Sequence, residues 1–476
     1  MTTDPGDDRD RDSLAAAAHY REILKPVFRD EKMLLIGGPI VGLAGLAFQM
    51  GKLSGQRPFL LGSFRGTGPL PEPDLADWFS LDIRSPSIMD EFRSYEGALR
   101  NLPPEARAAI EAWDPDGRAR AAGLIVLSEV AEVAGRRAYG RRRAEWLTFE
   151  DKLAAEALWR ELDVAHAPSE IVPAEPQALR AAAGRLDRGQ GSVWAGDARE
   201  GIHGGAEGTR WVRTDAEMDA AGAFFAGQCD RVRVMPFLEG IPCSIHGIVF
   251  PDTVVAFRPV ELVTLRSASE GLLYAGLGTF WDPLDADREA MRALARRVGA
   301  AMRERAGFVG AFTIDGVVAE EGFLPTEINS RFGAGLGSIG AALPTLPLAA
   351  LTLAVAEGET LDYRPEWLEE VMVREADRHR SGQGARVLHQ PREETVTREL
   401  VGDGDGFRFA NDEEEGDASL ILGPAAAGAF LRISPRPERM PRGGSLAPFV
   451  VKAFAFADRA LGTGLGPLEA ARDVRT

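Results

Sequence analysis

The stretch "GAFTIDGVVAEEGFLPTEINSRFGAG", residues 310–335, constrains the fold more than any other. Two apolar runs are separated by "EEG", so the segment reads as a β-hairpin whose three-residue loop ends in a glycine, Gly322, at positive φ. In that register Ala319 faces Phe323, Asp315 lies directly opposite Glu327, and Thr313 lies opposite Asn329. Alternate residues of a strand share a face. Glu327, Asn329 and Arg331 therefore point one way, and Ile328 and Ser330 the other. Directly opposed residues sit about 5 Å apart at Cβ. Two carboxylates that close destabilise a sheet unless a positive charge lies between them.

A divalent cation meets that need. Two carboxylates and an amide oxygen are hard ligands, suited to Mg²⁺ that also holds substrate phosphates, so Asp315, Glu327 and Asn329 are the expected metal ligands and a nucleotide the expected cofactor. Arg331, one step further along the face, is placed to meet a phosphate or acyl phosphate oxygen. The competing reading of the row, a solvated sheet face, leaves the opposed carboxylates unexplained. No Walker loop accompanies the row, because Gly51–Lys52 is followed by Leu53. "GLGSIG" (335–340) matches G-x-G-x-x-G, but in a chain with 53 glycines it reads as packing at a helix start.

At 476 residues the chain exceeds one core and predicts about three domains. Its net charge of −17 argues against general affinity for nucleic acid or anionic membrane. Cys229 and Cys243 are too few for a disulfide framework or a zinc site, and a reduced pair in a cytoplasmic protein is expected. "MTTDPGDDRDRDS" is acidic and polar, so residues 1–30 are expected to be disordered. "MLLIGGPIVGLAGLAFQMG" (33–51) is apolar, but Gly37, Gly38 and Pro39 divide it into a buried strand and a packed helix rather than a membrane span.

Residues 31–146 read as an α/β domain, with strands in "MLLIGG", "QRPFLLGSF" and "ADWFSLDIRS" and helical spacing over 118–140. Residues 147–370 begin with a helix, "EDKLAAEALWREL". A glycine-rich loop, 196–208, then lies between the strands "SVWAG" and "TRWVRT", and several strands and a helix precede the hairpin. Residues 371–476 form a smaller α+β domain, with an exposed acidic loop over 401–419 and a closing helix capped by Ser445. His246 shares a strand face with Ser244 and reads either as a nucleotide contact or as a hydrogen-bonded core histidine. Arg258 reads as a contact for phosphate or a substrate carboxylate, with an ordinary ion pair as the alternative.

"FEDKLAAEALWRELDVAHAP", "VRVMPFLEGIPCSIHG", Asp315 and "PTEINSR" together resemble the ATP-grasp superfamily. Its members clamp ATP between two α+β subdomains, and most join a carboxylate to an amine through an acyl phosphate, releasing ADP. The resemblance spans about 146–360 and implies a pre-ATP-grasp domain before it. It implies Mg²⁺ on Asp315, Glu327 and Asn329, and Arg331 at the transferred phosphate. Lys152 would be the first ATP-contacting lysine, Met235 and Leu238 would line the adenine pocket, and the loop carrying Gly204 and Gly205 would lie over the phosphates. Many members hold ribose with an acid near Cys243; here Glu239 is the available one. A second lysine on the strand before the loop is common in the superfamily, and "SVWAG" offers none. More narrowly, "EGIPCSIHG", "GFLPTEINSRFGAG" and "APFVVKAFAFADRALGTGLG" resemble the pheganomycin-type peptide ligases of actinobacteria. The implied function is an ATP-dependent carboxylate–amine ligase acting on small molecules or peptides, with a homodimer as the implied assembly. The missing lysine keeps a degenerate ATP-binding regulatory protein as an alternative, beside a phosphotransferase.

Overall fold

The computed structural model describes residues 5–475 except 126–129, 197–207 and 270. Strand Met33–Gly37 is apolar throughout and buried, as a central parallel strand should be. It pairs in parallel with Phe59–Gly62 on one side and Arg120–Ala122 on the other, inside a six-stranded sheet. Helix Ile40–Ser54 covers one face, and helices Ile88–Arg100 and Pro104–Trp113 pack on the other. Residues 118–140, expected to be helical, form the short strands Arg120–Ala122, Glu132–Val133 and Arg136–Tyr139 instead. Their apolar residues are divided between the sheet's faces, which a short helical period mimics.

The expected disordered start is also corrected. Pro5–Phe28 is a helix, and its Ala16, Tyr20, Leu24 and Phe28 are wholly buried. Four-residue spacing puts those side chains on one face, packed against helices Ile40–Ser54, Leu348–Glu357 and Pro365–Arg378. Tyr20 donates its hydroxyl to the Tyr363 carbonyl at 2.8 Å. The charged opening turns of the helix hide this stripe from a composition-based reading.

A four-stranded antiparallel sheet follows, ordered Glu170–Pro173, Arg231–Pro236, Ser192–Gly196, Thr209–Val212. The third sheet has eleven strands and runs from the edge hairpin through Ile241–Val249, Val254–Ser267 and Gly271–Gly278 into the C-terminal strands. Gly271–Gly278 pairs directly with Gly382–Leu388, so the C-terminal strands extend the central sheet. The expected acidic loop contains a hairpin, Val396–Asp403 with Gly406–Phe409. This mixed α/β architecture of several sheets is the expected fold class. No helix among the described residues is long and apolar enough to cross a membrane.

The edge hairpin pairs Gly310–Ala319 with Gly322–Asn329, and Asp315 faces Glu327 and Thr313 faces Asn329 as expected. The route differs. Ala319 pairs with Gly322, which leaves a two-residue loop, and Val318 rather than Ala319 faces Phe323. A bulge near Pro325 and Thr326 then restores the register. The bulge requires glycine opposite it, because a Cβ on Gly316 would lie 2.4 Å from the Leu324 carbonyl oxygen. The glycines after Arg331 have a packing cause: a Cβ on Gly335 would lie 2.1 Å from His246 Nε2.

Candidate active site

The four-stranded sheet and the central sheet meet at a cleft. Val193, Met235, Phe237, Leu238 and Leu262 line a cavity of about 190 Å³ whose other end carries Lys152, Arg233, Asp315 and Glu327. Apolar walls with a few convergent charges are the usual form of a small-molecule site. Phe237 stacks on Trp211 with centroids 4.5 Å apart, and the Arg266 guanidinium lies 5.0 Å from the Phe237 ring. Ala471 completes the wall from a distant segment. That segment is tied down in three places. Leu468–Glu469 pairs with Ser267 and Arg266, Arg472 N donates to Glu239 at 3.4 Å, and Arg475 donates to Asp287 at 3.0 Å and to the Glu320 carbonyl at 2.8 Å.

Lys152 opens helix Lys152–Glu161, whose start is fixed by Asp151: its Oδ1 accepts from Leu153 N at 2.7 Å and Ala154 N at 2.8 Å. From there Lys152 Nζ reaches Glu327 Oε2 at 2.8 Å. Asn329 Nδ2 donates to Asp315 Oδ2 at 3.0 Å. Burial, and then the charge of Glu327, push the Asp315 carboxyl well above the usual range. Burial acts the same way on Glu327, but Lys152 and Arg331 outweigh it and hold that group below the ordinary carboxylate range.

This donor set fits a hard divalent ion. Lys152 already places a cation against one carboxylate, and the other carboxylate is satisfied by a single amide. Turning the Asn329 amide about its last torsion presents oxygen in place of nitrogen. No group of three or more His, Cys, Asp or Glu side chains is gathered among the described residues, so phosphate oxygens and water would have to complete the shell.

Arg331 lies beyond Asn329 and donates Nη1 to Glu150 Oε2 at 2.8 Å. Glu150 is nearly buried, and its Oε1 accepts from Arg142, from Ser330 N and from Ser330 Oγ. Arg233 was not anticipated. It stands on strand Arg231–Pro236 directly across from Ala195, only 3% exposed. Its Nη1 lies 3.7 Å from Glu156, and its Nε has no partner among the described residues. Burial lowers its pKa against the pull of Glu156 and Glu327. A charged residue inside the apolar alternation of "VRVMP" is the signal that marked it.

Two sequence expectations are corrected. Arg258 is no substrate contact. Its five N–H donors go to the carbonyls of Pro259, Ala376 and Trp281 and to Asp377 and Asp282. His246 shares the sheet face of Asp315, yet Ser244 Oγ and Thr313 Oγ1 occupy both ring nitrogens at 2.9 and 2.8 Å. Burial drives its pKa down to about 3, so it is a neutral core histidine. Glu239 is held in a two-point pair by Arg266. Met235 and Leu238 line the cleft, while Gly204 and Gly205 lie outside the described residues.

No family model matches the chain. Phosphoribosylamine–glycine ligase of Streptomyces coelicolor is 30% identical over 175 residues, which make up 35% of this chain and 42% of that protein. Among solved structures, the biotin carboxylase domain dimer of Hydrogenobacter thermophilus 2-oxoglutarate carboxylase, in complex with MgADP, ADP and bicarbonate, superposes with a TM-score of 0.55 at 13% identity, covering 93% of this chain and 91% of that one. Campylobacter jejuni biotin carboxylase, in a β,γ-ATP complex, gives 0.54 at 12% identity over 85% and 87% of the two chains. N5-carboxyaminoimidazole synthase of Aspergillus clavatus, with ADP and 5-aminoimidazole ribonucleotide, gives 0.51 at 12% identity over 90% and 99%. The fold is the ATP-grasp fold.

Proposed function

We propose that this chain uses its ATP-grasp scaffold as an ATP-dependent ligase, joining a carboxylate to an amine through an acyl phosphate and releasing ADP and phosphate. One observation carries the reading. The buried carboxylates of Asp315 and Glu327 are opposed across a strand pair at the charged end of an apolar cleft. Such a pair is unfavourable without a cation. The curated relative is named as a ligase, and solved structures of this fold hold adenine nucleotides.

In this reading Met235, Leu238 and Phe237 receive the base, and Lys152 turns from Glu327 toward the phosphates. Asp315, Glu327 and Asn329 would hold Mg²⁺, which when bound neutralises charge on the phosphates during transfer. Arg233 supplies the second cation that the strand Ser192–Gly196 lacks; this replacement favours a working enzyme over a degenerate one. Arg331 holds the transferred group and the carboxylate beside it. The cleft must exclude water, because an acyl phosphate hydrolyses. The amine substrate class we favour is amino acids or short peptides, from the resemblance to pheganomycin-type ligases. We also infer a homodimer, which the dimeric biotin carboxylase domain supports and sedimentation would test.

The test is product analysis. The protein is incubated with ATP, Mg²⁺ and pools of amino acids and peptides, with Asp315→Asn, Glu327→Gln protein as the blank. The expected outcome is ADP formed only when a carboxylate and an amine are both present, with a product lighter by one water than their sum. AMP as the nucleotide product would overturn the acyl phosphate route.

A further inference from the structure

Helix Lys152–Glu161 carries Lys152 and Glu156 four positions apart, so the two share a face. Glu156 is only 2% exposed. Its Oε1 is filled: it accepts from Ser169 Oγ at 2.6 Å and from Arg160 at 3.1 Å, and His166 Nε2 lies 3.1 Å away. Its Oε2 is left to Arg233, whose Nη1 lies 3.7 Å from it. The same Nη1 donates to the Lys152 carbonyl at 3.4 Å. One turn of helix therefore places both Lys152 and, through Glu156, the guanidinium of Arg233.

Arg233 lines the cleft beside Lys152, Asp315 and Glu327. Burial is the strongest influence on its guanidinium; among the acids Glu156 acts most strongly, then Glu327 and Asp151. Glu327 pairs with Lys152, and no ion pair joins it to Arg233 among the described residues. Glu156 and Glu327 thus compete for one cation. At 3.7 Å the Glu156 contact is longer than a hydrogen bond, so charge holds Arg233 there without a two-point pair of the kind that binds Arg266 to Glu239. A guanidinium held in this way can meet an incoming phosphate without first breaking a strong pair.

We propose that Glu156 is the positioning residue for Arg233. It balances the pull of Glu327, so the guanidinium stays beside Lys152 as a second cation for the nucleotide phosphates and does not close on Glu327. Once the Glu156 charge is removed, Arg233 is a buried cation whose strongest remaining acid is Glu327. Closing on that carboxylate takes Arg233 from the phosphates and burdens a proposed metal ligand with two cations. The inference rests on the reading that this cleft holds ATP with Mg²⁺.

The experiment is calorimetric titration of the full chain with ATP and with adenosine, Mg²⁺ present throughout. Four proteins are compared: wild type, Glu156→Gln, Arg233→Met and the double variant. Glutamine keeps the size of the side chain and an oxygen for Ser169, and it removes the charge. Glu156→Gln should weaken ATP binding about tenfold and leave adenosine binding unchanged. In the Arg233→Met background the same substitution should cost nothing further. A carboxylate that serves only to tie Ser169 and His166 to the helix would give losses that multiply to roughly a hundredfold, or an equal loss for adenosine. Should Glu156→Gln fail to fold, Glu156→Asp keeps the charge and withdraws it by one methylene; its loss for ATP should be about threefold, again absent in Arg233→Met. Unchanged ATP binding in the Glu156 variant, multiplying losses, or an equal loss for adenosine overturns the inference while the nucleotide reading stands. Wild-type protein that binds no ATP overturns both.

Discussion

Arg258 and Arg142 are both buried arginines paired with carboxylates, yet they do opposite things with their donors. Arg258 spends all five N–H groups on three carbonyls and two carboxylates, and its environment is further braced by Arg288 and Arg380 on the same acids. Arg142 donates from one nitrogen to Glu150, and its Nε and Nη2 are buried with no partner among the described residues. Burial and charge are common to both. What separates them is the number of donors left unmet once the fold is complete, each of which costs its desolvation.

The largest effect expected from that rule is at the carboxylate pair. Replacing Asp315 with Asn and Glu327 with Gln should lower ADP formation by about three orders of magnitude or more, read by chromatography. The melting temperature should fall, because Glu327→Gln leaves the largely buried Lys152 without its partner. A fully active double variant would end the metal-site reading.

Next is Arg258. Arg258→Met strands Asp282 and Asp377 in part and should cost about 3–5 kcal/mol in urea unfolding. Arg142→Met, which loses one bond to a carboxylate still held by Arg331 and Ser330, should cost about 1–2 kcal/mol. Equal costs would break the contrast between them.

A smaller effect sharpens it at Arg233, which lines the cleft and whose buried Nε has no partner among the described residues. Arg233→Met should weaken ATP binding about tenfold, the worth of one charge-assisted contact, while adenosine binding is unchanged and Arg233→Lys recovers part of the loss. Calorimetric titration of both ligands checks this, and an equal loss for adenosine would mean that the cleft itself had distorted.

A pH-dependent effect concerns His246, saturated like Arg258. Its folded pKa lies near 3, below the ordinary value of 6.5. The unfolded chain therefore binds a proton that the folded chain refuses as pH falls from about 6.5 toward 3. Stability should decline across that window with a slope of up to one proton. His246→Gln, if it folds, should flatten that part of the profile.

The hairpin was legible because a period of two survives any loop length, and the facing of Asp315 and Glu327 followed from it. The turn was misread because the bulge at Pro325–Thr326 cancels the error of a loop one residue too long. Saturation was illegible: Asp377 lies 119 positions from Arg258 and Ser445 lies 184 from the Glu261 it donates to, so no local pattern reveals those partners. The N-terminal helix was legible in its apolar spacing at Ala16, Tyr20, Leu24 and Phe28 but was outweighed by the acidic residues before it. Arg142, the middle of three consecutive arginines in "GRRRAEW", carries no signal of its own; its pairing depends on Glu150 being brought to it.

Ala471 lines the cleft from a segment far along the chain from Lys152, Asp315 and Glu327. If the cleft receives the base as proposed, a substitution at that one position changes the fit of the base while leaving Lys152, Gly316 and the paired acids in place. An Ala471→Leu protein that loses ATP binding while keeping that of inorganic triphosphate would display this separation directly. In that reading nucleotide preference and bond-forming chemistry are separable by mutation.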